Sequence, residues 1–286
     1  MNSIPIISVV MITYAHEKYI QEAIEGVFLQ QFNGTIELII ANDHSPDATD
    51  EIVKRVIKNA PQHIKVNYTY HEINKGMMPN FVWALQQTNG KYIAICEGDD
   101  YWTDPLKLQK QVSFLEENLD CSICFHAAKH ENVINADISY ISQPKRKPIE
   151  NKFHLKDLIL GGGGFMTSNS MVFLRKYILN MPTWVYEAPV GDGPLALILA
   201  SKGRIGYLED VMSVYRLFSN SNSWSVSMKN RDKERIHHHK IIKMWKDFDN
   251  WSEFRHNKTI MKKINLNKLN YFKKRFQRII KMMLNK

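Results

Sequence analysis

The most informative part of this sequence is one acidic stretch, Ile93–Trp102, which reads IAICEGDDYW. The apolar run Ile93–Cys96 is typical of a buried strand. Three carboxylates, Glu97, Asp99 and Asp100, follow the run, so the strand would deliver them together at its C-terminal end. Because burying several like charges is costly, we expect a cation to lie among them.

The type of ligand atom indicates which cation such a site would take. Clustered carboxylate oxygens suit a hard divalent ion such as Mg2+ or Mn2+, which keeps several waters and takes further ligands from a substrate phosphate. The stretch therefore predicts a metal-bound diphosphate. The alternative is a solvated acidic turn in front of a helix that starts near Pro105.

Composition favours a globular protein that is soluble or peripheral to a membrane. With 286 residues, 44% of them hydrophobic, the chain can form one large α/β domain with appendages or two small domains. Nothing resembles a signal peptide or a membrane span of ~20 apolar residues. We expect Cys96, Cys121 and Cys124 to be reduced core thiols in a cytosolic protein.

Strands and helices alternate through the first hundred residues. Apolar, β-branched runs predict strands at 6–13, 36–41, 65–70 and 93–96, and periodic apolar residues predict helices at 18–31, after Asp47, and at 80–88. This alternation predicts a parallel sheet with helices on both faces.

Polar residues follow three of these strands where each strand ends. Thr13, Asp43 and Glu97 come from separate strands, and ligands bind at the carboxyl ends of strands in such sheets. The sequence therefore predicts one binding cleft there. Neither a Gly-x-Gly-x-x-Gly motif nor a P-loop is present, which argues against a dinucleotide dehydrogenase or a P-loop enzyme and leaves a metal to carry the diphosphate charge.

An ordered series of motifs across residues 5–225 resembles the inverting glycosyltransferases of family 2, which have the GT-A fold. The resemblance is carried by Ser8–Tyr14, by Glu37–Thr49, by Asn74–Gly76 with Asn80, by Glu97–Asp99 and by Tyr101–Leu108. It implies a GT-A fold, similar to a Rossmann fold, with a mostly parallel sheet and a C-terminal helical extension. It also implies a nucleotide-diphospho-sugar as donor.

The resemblance assigns roles to residues of the first half. It places Thr13, Tyr14, Lys75 and Asn80 near the nucleotide and puts Asp43 on the nucleobase. Glu97-Gly98-Asp99 takes the place of the family's DxD motif. Asp99 is then the expected ligand of Mg2+ or Mn2+, Glu97 contacts the ribose or the metal's waters, and Asp100 is a further candidate ligand.

The second half supplies the remaining catalytic groups. Inverting transfer needs a carboxylate that takes the proton from the acceptor hydroxyl, and the resemblance puts this base at Asp192, for which a plain helix N-cap is the alternative. Arg216 is the cationic candidate for the leaving diphosphate. The loop Gly161–Gly164 is either a mobile sugar-facing loop or a plain connector. Residues 221–227 are predicted to form a flap over the donor.

The C-terminal part differs in charge from the rest of the chain. From Glu253 onward, eleven Lys or Arg residues stand against one acidic residue, within a net charge of +9. A basic amphipathic helix here predicts contact with an anionic membrane, or packing on the domain. We interpret His237–His239 as surface residues.

We therefore predict a glycosyltransferase domain at 1–228, with a nucleotide-binding half (1–111) and an acceptor half (112–228), and a basic helical extension at 229–286. The predicted reaction transfers a sugar to a glycan or lipid-linked glycan of cell-surface polysaccharide, with inversion, in the cytoplasm or at the inner face of the membrane. The alternatives are nucleotidyl transfer, or nucleic-acid binding through the tail, although no nucleic acid is expected as a partner.

Overall fold

A computed structural model of the chain describes residues 6–219 and 224–284. The strands in the described residues are β1 (Ile7–Thr13), β2 (Ile36–Asn42), β3 (Ile64–Tyr70), β4 (Tyr92–Ile95), β5 (Tyr101–Trp102), β6 (Cys121–Asn132), β7 (Tyr140–Ser142), β8 (Lys152–Phe153), β9 (Val172–Leu174) and β10 (Arg204–Leu217). The helices are α1 (Ile20–Phe28), α2 (Thr49–Val56), α3 (Met77–Gln86), α4 (Lys107–Glu117), α5 (Leu155–Gly161), α6 (Asp192–Ala200), α7 (Trp224–Ser227), α8 (Arg231–Trp251) and α9 (Asn257–Leu284).

All the strands belong to one sheet with the order β3-β2-β1-β4-β9-β6-β10-β5, beside which β7 pairs with β6 and β8 with β10. The first four strands are parallel, as the alternation of strands and helices predicts. Beyond β4 the sheet is mixed: β9 runs antiparallel to both of its neighbours, and β6 and β10 are parallel to each other. The predicted α/β sheet is confirmed, with its parallel part in the first half of the chain.

Side-chain alternation along β1 explains why helices cover both faces of the sheet. Val9 and Met11 join the buried cluster under α1, whereas Val10 joins a second cluster under α3. A strand that is buried on both faces has no polar face, which accounts for its continuous apolar sequence. The three cysteines are buried and unpaired, as expected of core thiols.

Strand β10 is long because it contains bulges. Shifts in register after Leu208 and Val211 absorb extra residues without ending the strand. The polar segment that follows β6 is partly ordered, since β7 pairs with the end of β6.

The C-terminal helices begin as part of the domain core. Met244, Trp245 and Phe248 of α8, together with Ile260 and Ile264 of α9, are buried in the same cluster as residues of α5 and α6. The sequence predicts that this segment either contacts a membrane or packs on the domain. Packing on the domain is observed for α8 and the start of α9. No helix in the described part of the chain is both long and apolar enough to cross a bilayer.

This packing predicts a large difference between two phenylalanines of the C-terminal helices. Phe248 is fully buried, whereas Phe276 is 65% exposed. We expect Phe248→Ala to lower the free energy of unfolding by about 3–5 kcal/mol, because it leaves a cavity in the core. The matched control, Phe276→Ala, should change it by less than about 0.5 kcal/mol in the same urea titration. Similar values for both variants would mean that α8 is not part of the core.

Candidate active site

A cavity of about 1440 Å3 lies at the carboxyl ends of β1, β2 and β4. Most of the residues predicted from the sequence line it: Thr13, Tyr14, Asp43, Asn80, Glu97, Asp99, Asp192 and Arg216. Lys75, Gly98 and Asp100 do not line it, and each acts on a residue that does, as described below. The structure thus brings the predicted residues to one place, and their chemical roles stay predictions.

The end of the cavity next to β2 is organised by Asp43. One carboxylate oxygen of Asp43 accepts a hydrogen bond from the backbone N–H of Lys75 (2.7 Å), and the other accepts one from Gly76 (2.9 Å). The side-chain amide of Asn74 donates to the backbone carbonyl of Asp43 (2.9 Å). Lys75 therefore acts through its backbone and fixes the orientation of the Asp43 carboxylate.

Asn80 ties α3 to the sheet beneath it. Its amide nitrogen donates to the carbonyl of Ala41 (3.0 Å), and its amide oxygen lies 3.0 Å from the Nε2 of His71. Because both ends of the side chain are engaged, Asn80 shapes the cavity wall from a fixed position. Helix α3 begins at Met77, three residues earlier than predicted, directly after Gly76 at φ 86°.

Gly98 lets the acidic turn lie directly against β1. Its backbone N–H donates to the carbonyl of Ile12 (2.9 Å). A Cβ at position 98 would stand 2.7 Å from the Oγ1 of Thr13 and 2.9 Å from the Cδ1 of Ile20. The glycine is thus required for close packing rather than for contact with a ligand.

Like charges crowd this turn. Glu97 accepts a hydrogen bond from Ser168, yet burial and the neighbouring carboxylates of Asp99 and Asp192 raise the pKa of Glu97 to about 8. Asp100 is almost fully buried, and burial raises its pKa well above the usual range. One Asp100 oxygen has no hydrogen-bond partner among the described residues. A cation at this turn would lower the pKa of both carboxyl groups, Glu97 and Asp100.

Asp99 is the carboxylate best placed to bind a metal ion. Its side chain is 21% exposed to the cavity, and its Oδ2 accepts from the Oγ of Ser219 (2.6 Å) and lies 3.8 Å from the Nε2 of His16. Asp100 instead binds the backbone N–H of Arg216 (2.8 Å), so its predicted role as a further ligand lacks access to the cavity.

The donor set fits a metal that is shared with a substrate. No group of three or more His, Cys, Asp or Glu residues in the described ranges could enclose a metal ion. Mg2+ commonly takes only one or two protein carboxylates and completes its shell with substrate phosphates and water. One exposed Asp99 oxygen beside Glu97 meets this requirement.

Arg216 is held firmly in the cavity wall. Its guanidinium lies between the rings of Tyr19 and Tyr101, at 4.8 and 4.3 Å from the ring centres. It donates to the backbone carbonyl of Asp99 (3.0 Å) and to the carboxylate of Glu22. The predicted contact with a diphosphate would thus replace the Glu22 contact.

Asp192 is the first residue of α6 and faces the same cavity as the acidic turn. Its Oδ1 accepts from the backbone N–H of Gly193 (2.8 Å), and burial raises its pKa. Its charge in turn raises the pKa of Glu97, so the two carboxylates are neighbours across the cavity. The preceding glycine, Gly191, leaves room for Phe81, 3.1 Å from where a Cβ would stand.

Sequence reasoning missed several residues of the site. Ser168 and Ser219 bind Glu97 and Asp99, and only the run of hydroxyl residues after the four glycines hinted at the first. His237 and His238 line the cavity and are half-buried, whereas His239 is exposed, so the interpretation as surface residues holds fully only for His239. Of the predicted flap, residues 221–223 lie outside the described residues, and Ser225 of α7 lines the cavity.

Solved structures of other proteins share this fold. The crystal structure of Staphylococcus aureus TarS residues 1–349 with UDP superposes with a TM-score of 0.59 at 19% identity, over 84% of this chain and 65% of that chain. The Pyrobaculum calidifontis mannosyltransferase PcManGT, with GDP-Man and Mn2+, gives 0.59 at 15% identity, over 86% of this chain and 64% of that chain. The GT-A class of fold is thereby confirmed.

Sequence comparison gives the family. The model of Glycosyl transferase family 2 matches residues 8–180, and the chain belongs to this family of glycosyltransferases. An uncharacterised protein of Mycobacterium tuberculosis is 35% identical over 213 residues, which cover 73% of this chain and 58% of the relative. The putative teichuronic acid biosynthesis glycosyltransferase TuaG of Bacillus subtilis is 27% identical over 243 residues, 82% of this chain and 90% of TuaG. The chain thus spans less than two thirds of its mycobacterial relative.

Proposed function

We propose that this glycosyltransferase moves a sugar from a nucleotide-diphospho-sugar to an acceptor hydroxyl, with inversion at the anomeric carbon. The observation that carries the proposal is the meeting of Asp43, Asp99 and Asp192 in one cavity, after β2, after β4 and at the start of α6 respectively. The nucleotides in the structural neighbours, UDP in TarS and GDP-Man with Mn2+ in PcManGT, support a nucleotide-diphospho-sugar as donor.

The donor would lie along the carboxyl ends of the parallel strands. Asp43, whose carboxylate is oriented by two backbone N–H groups, contacts the nucleobase, and Thr13 and Tyr14 line the same end. Asp99, with Glu97 beside it, would hold Mg2+ or Mn2+, which supplies charge neutralisation for the diphosphate. Arg216 provides a second positive charge at this point of the wall.

Asp192 is the proposed general base. It takes the proton from the acceptor hydroxyl while that oxygen forms a bond to the anomeric carbon. The bond from the anomeric carbon to the diphosphate oxygen breaks on the opposite face, and its electron pair leaves with the nucleoside diphosphate. Burial raises the pKa of Asp192, which makes it a stronger base than an exposed aspartate.

The acceptor we propose is a glycan or lipid-linked glycan of a cell-surface polysaccharide. The name of TuaG, a putative teichuronic acid glycosyltransferase, supports this class. The outer side of α9 supports a site of action at the cytoplasmic face of the membrane. It exposes apolar side chains among many lysines and arginines: Leu266, Leu269, Phe272, Phe276, Ile280 and Met283. Such a helix lies in the interface of an anionic bilayer.

A nucleotide-sugar screen tests the donor and the metal. We expect one UDP- or GDP-sugar to raise the Tm, and to raise it more with Mn2+, since a ligand at 100 times its Kd stabilises by about 2.7 kcal/mol. Asp99→Asn should remove the part of the Tm rise that depends on Mn2+. The control Asp137→Asn, at an exposed position, should retain it. Release of pyrophosphate rather than nucleoside diphosphate would instead indicate nucleotidyl transfer.

Asp192→Asn tests the general base. The amide cannot accept the hydroxyl proton, so we expect the transfer rate to fall by about 10^2 to 10^4 while the Tm shift with the donor persists. Asp137→Asn again serves as the control. An equal loss of donor binding in Asp192→Asn would assign this residue to the donor site.

Membrane contact can be measured by co-sedimentation with vesicles. We expect binding to vesicles that contain phosphatidylglycerol and at least tenfold weaker binding to pure phosphatidylcholine, with the difference shrinking at high salt. Phe272→Asp should abolish binding, whereas Leu119→Asp, at a residue that is 83% exposed on another element, should leave it intact. Equal binding by both variants would contradict the role of α9.

A further inference from the structure

Helix α9 turns its polar side toward the protein and its apolar side outward, the reverse of an ordinary surface helix. A helix on a globular domain normally turns its apolar side inward. From Lys263 onward, α9 turns polar side chains toward the cavity, whereas Leu266, Leu269, Phe272, Phe276, Ile280 and Met283 are exposed on its other side. The inward residues recur at the spacing of a helix face: Lys263, Asn267, Asn270, Tyr271 and Lys274. The inner side of α9 is therefore a polar wall of the cavity.

The side chains on this wall are suited to hydrogen bonding with a ligand. The half-buried amide of Asn267 and the amide of Asn270 make no hydrogen bond to any other described residue. Between them and α8, the ring of Tyr271 stacks on His238 with 4.1 Å between ring centres and an angle of 8°. Two side-chain amides beside a tyrosine can donate to and accept from the hydroxyl groups of a ligand.

The wall on α8 and α9 carries a modest positive charge. Glu234 of α8 is paired with both Lys274 (2.6 Å) and Arg278 (2.5 Å) of α9, so one acidic group faces two basic ones. Burial lowers the pKa of His237 and His238, which keeps both rings uncharged at neutral pH. The wall therefore offers hydrogen bonds beside a small positive charge, which suits a neutral or anionic glycan.

The wall is continuous with the proposed reaction centre. Helix α6, which begins at Asp192, packs against α8, and a Cβ on Gly193 would stand 3.7 Å from the sulfur of Met244. The nucleotide residues around Asp43 and the wall on α9 line one cavity. A ligand bound on the wall thus shares an open volume with Asp192.

We propose that the inner face of α8 and α9 is a saccharide-binding subsite that holds the acceptor glycan. The proposal rests on the proposed function, because it assigns the polar wall to the second substrate of that reaction. Its residues lie beyond position 180, where the match to the family model ends. Acceptor choice is therefore encoded in a part of the chain that the family pattern does not cover.

Saturation-transfer NMR on the full chain tests the subsite. The probes are the methyl glycosides of glucose, galactose, mannose and N-acetylglucosamine, added with and without the donor found in the screen. We expect at least one glycoside to receive saturation from the wild-type protein. Tyr271→Ala and Asn267→Ala should weaken this binding at least tenfold. Lys268→Ala, next to Asn267 on the exposed side of α9, should not.

The same samples separate the two proposals. We expect Tyr271→Ala and Asn267→Ala to keep the donor-induced rise in Tm and the release of nucleoside diphosphate to water, since neither residue touches the donor end. Unchanged glycoside binding in both variants, or no binding of any of the four glycosides, would overturn the subsite even if the donor binds. Failure of every nucleotide-sugar to bind the wild type would instead reject the proposed transfer.

Discussion

Close contact between Gly98 and Thr13 is the constraint on which the site depends. A Cβ on Gly98 would overlap the Thr13 hydroxyl at 2.7 Å, so only glycine lets the acidic turn follow β4 against the end of β1. The turn then directs Glu97 and Asp99, on either side of the glycine, into one cavity. The raised pKa of Glu97 is the energetic cost of this arrangement, and a cation bound with the substrate would offset it.

The second half of the chain completes what the parallel strands begin. Ser168 and Ser219 bind the two cavity-facing carboxylates of the turn, and Arg216 binds both the backbone carbonyl of Asp99 and, through its own N–H, the carboxylate of Asp100. The acidic turn is therefore held from β10 and from the segment before β9. The mixed part of the sheet thus fixes these carboxylates in position.

The sequence predicted the parallel strands and the polar residues at their ends well, because this information is local. A strand that ends in Thr13 or Asp43 carries its polar residue to the sheet edge whatever the rest of the chain does. The surroundings of Arg216 depend on Tyr19 and Tyr101, which are far apart in sequence, so periodicity could not reveal them. The position of His237 and His238 at the cavity could not be predicted for the same reason, because only the packing of α9 against α8 forms this part of its wall.

Two carboxylates that line the cavity, Glu97 and Asp192, have raised pKa values, so a raised pKa alone does not distinguish the base. Glu97 accepts a hydrogen bond from Ser168 and lies beside Asp99. A proton on Glu97 would compete with a metal ion held at these carboxylates. Within the described residues, Asp192 accepts hydrogen bonds only from neighbouring backbone N–H groups, with Gly193 donating to Oδ1 (2.8 Å). Helix α8, which carries part of the proposed saccharide wall, packs on the helix that Asp192 begins. Position relative to this proposed wall, more than pKa, is the reason that we propose Asp192 as the base.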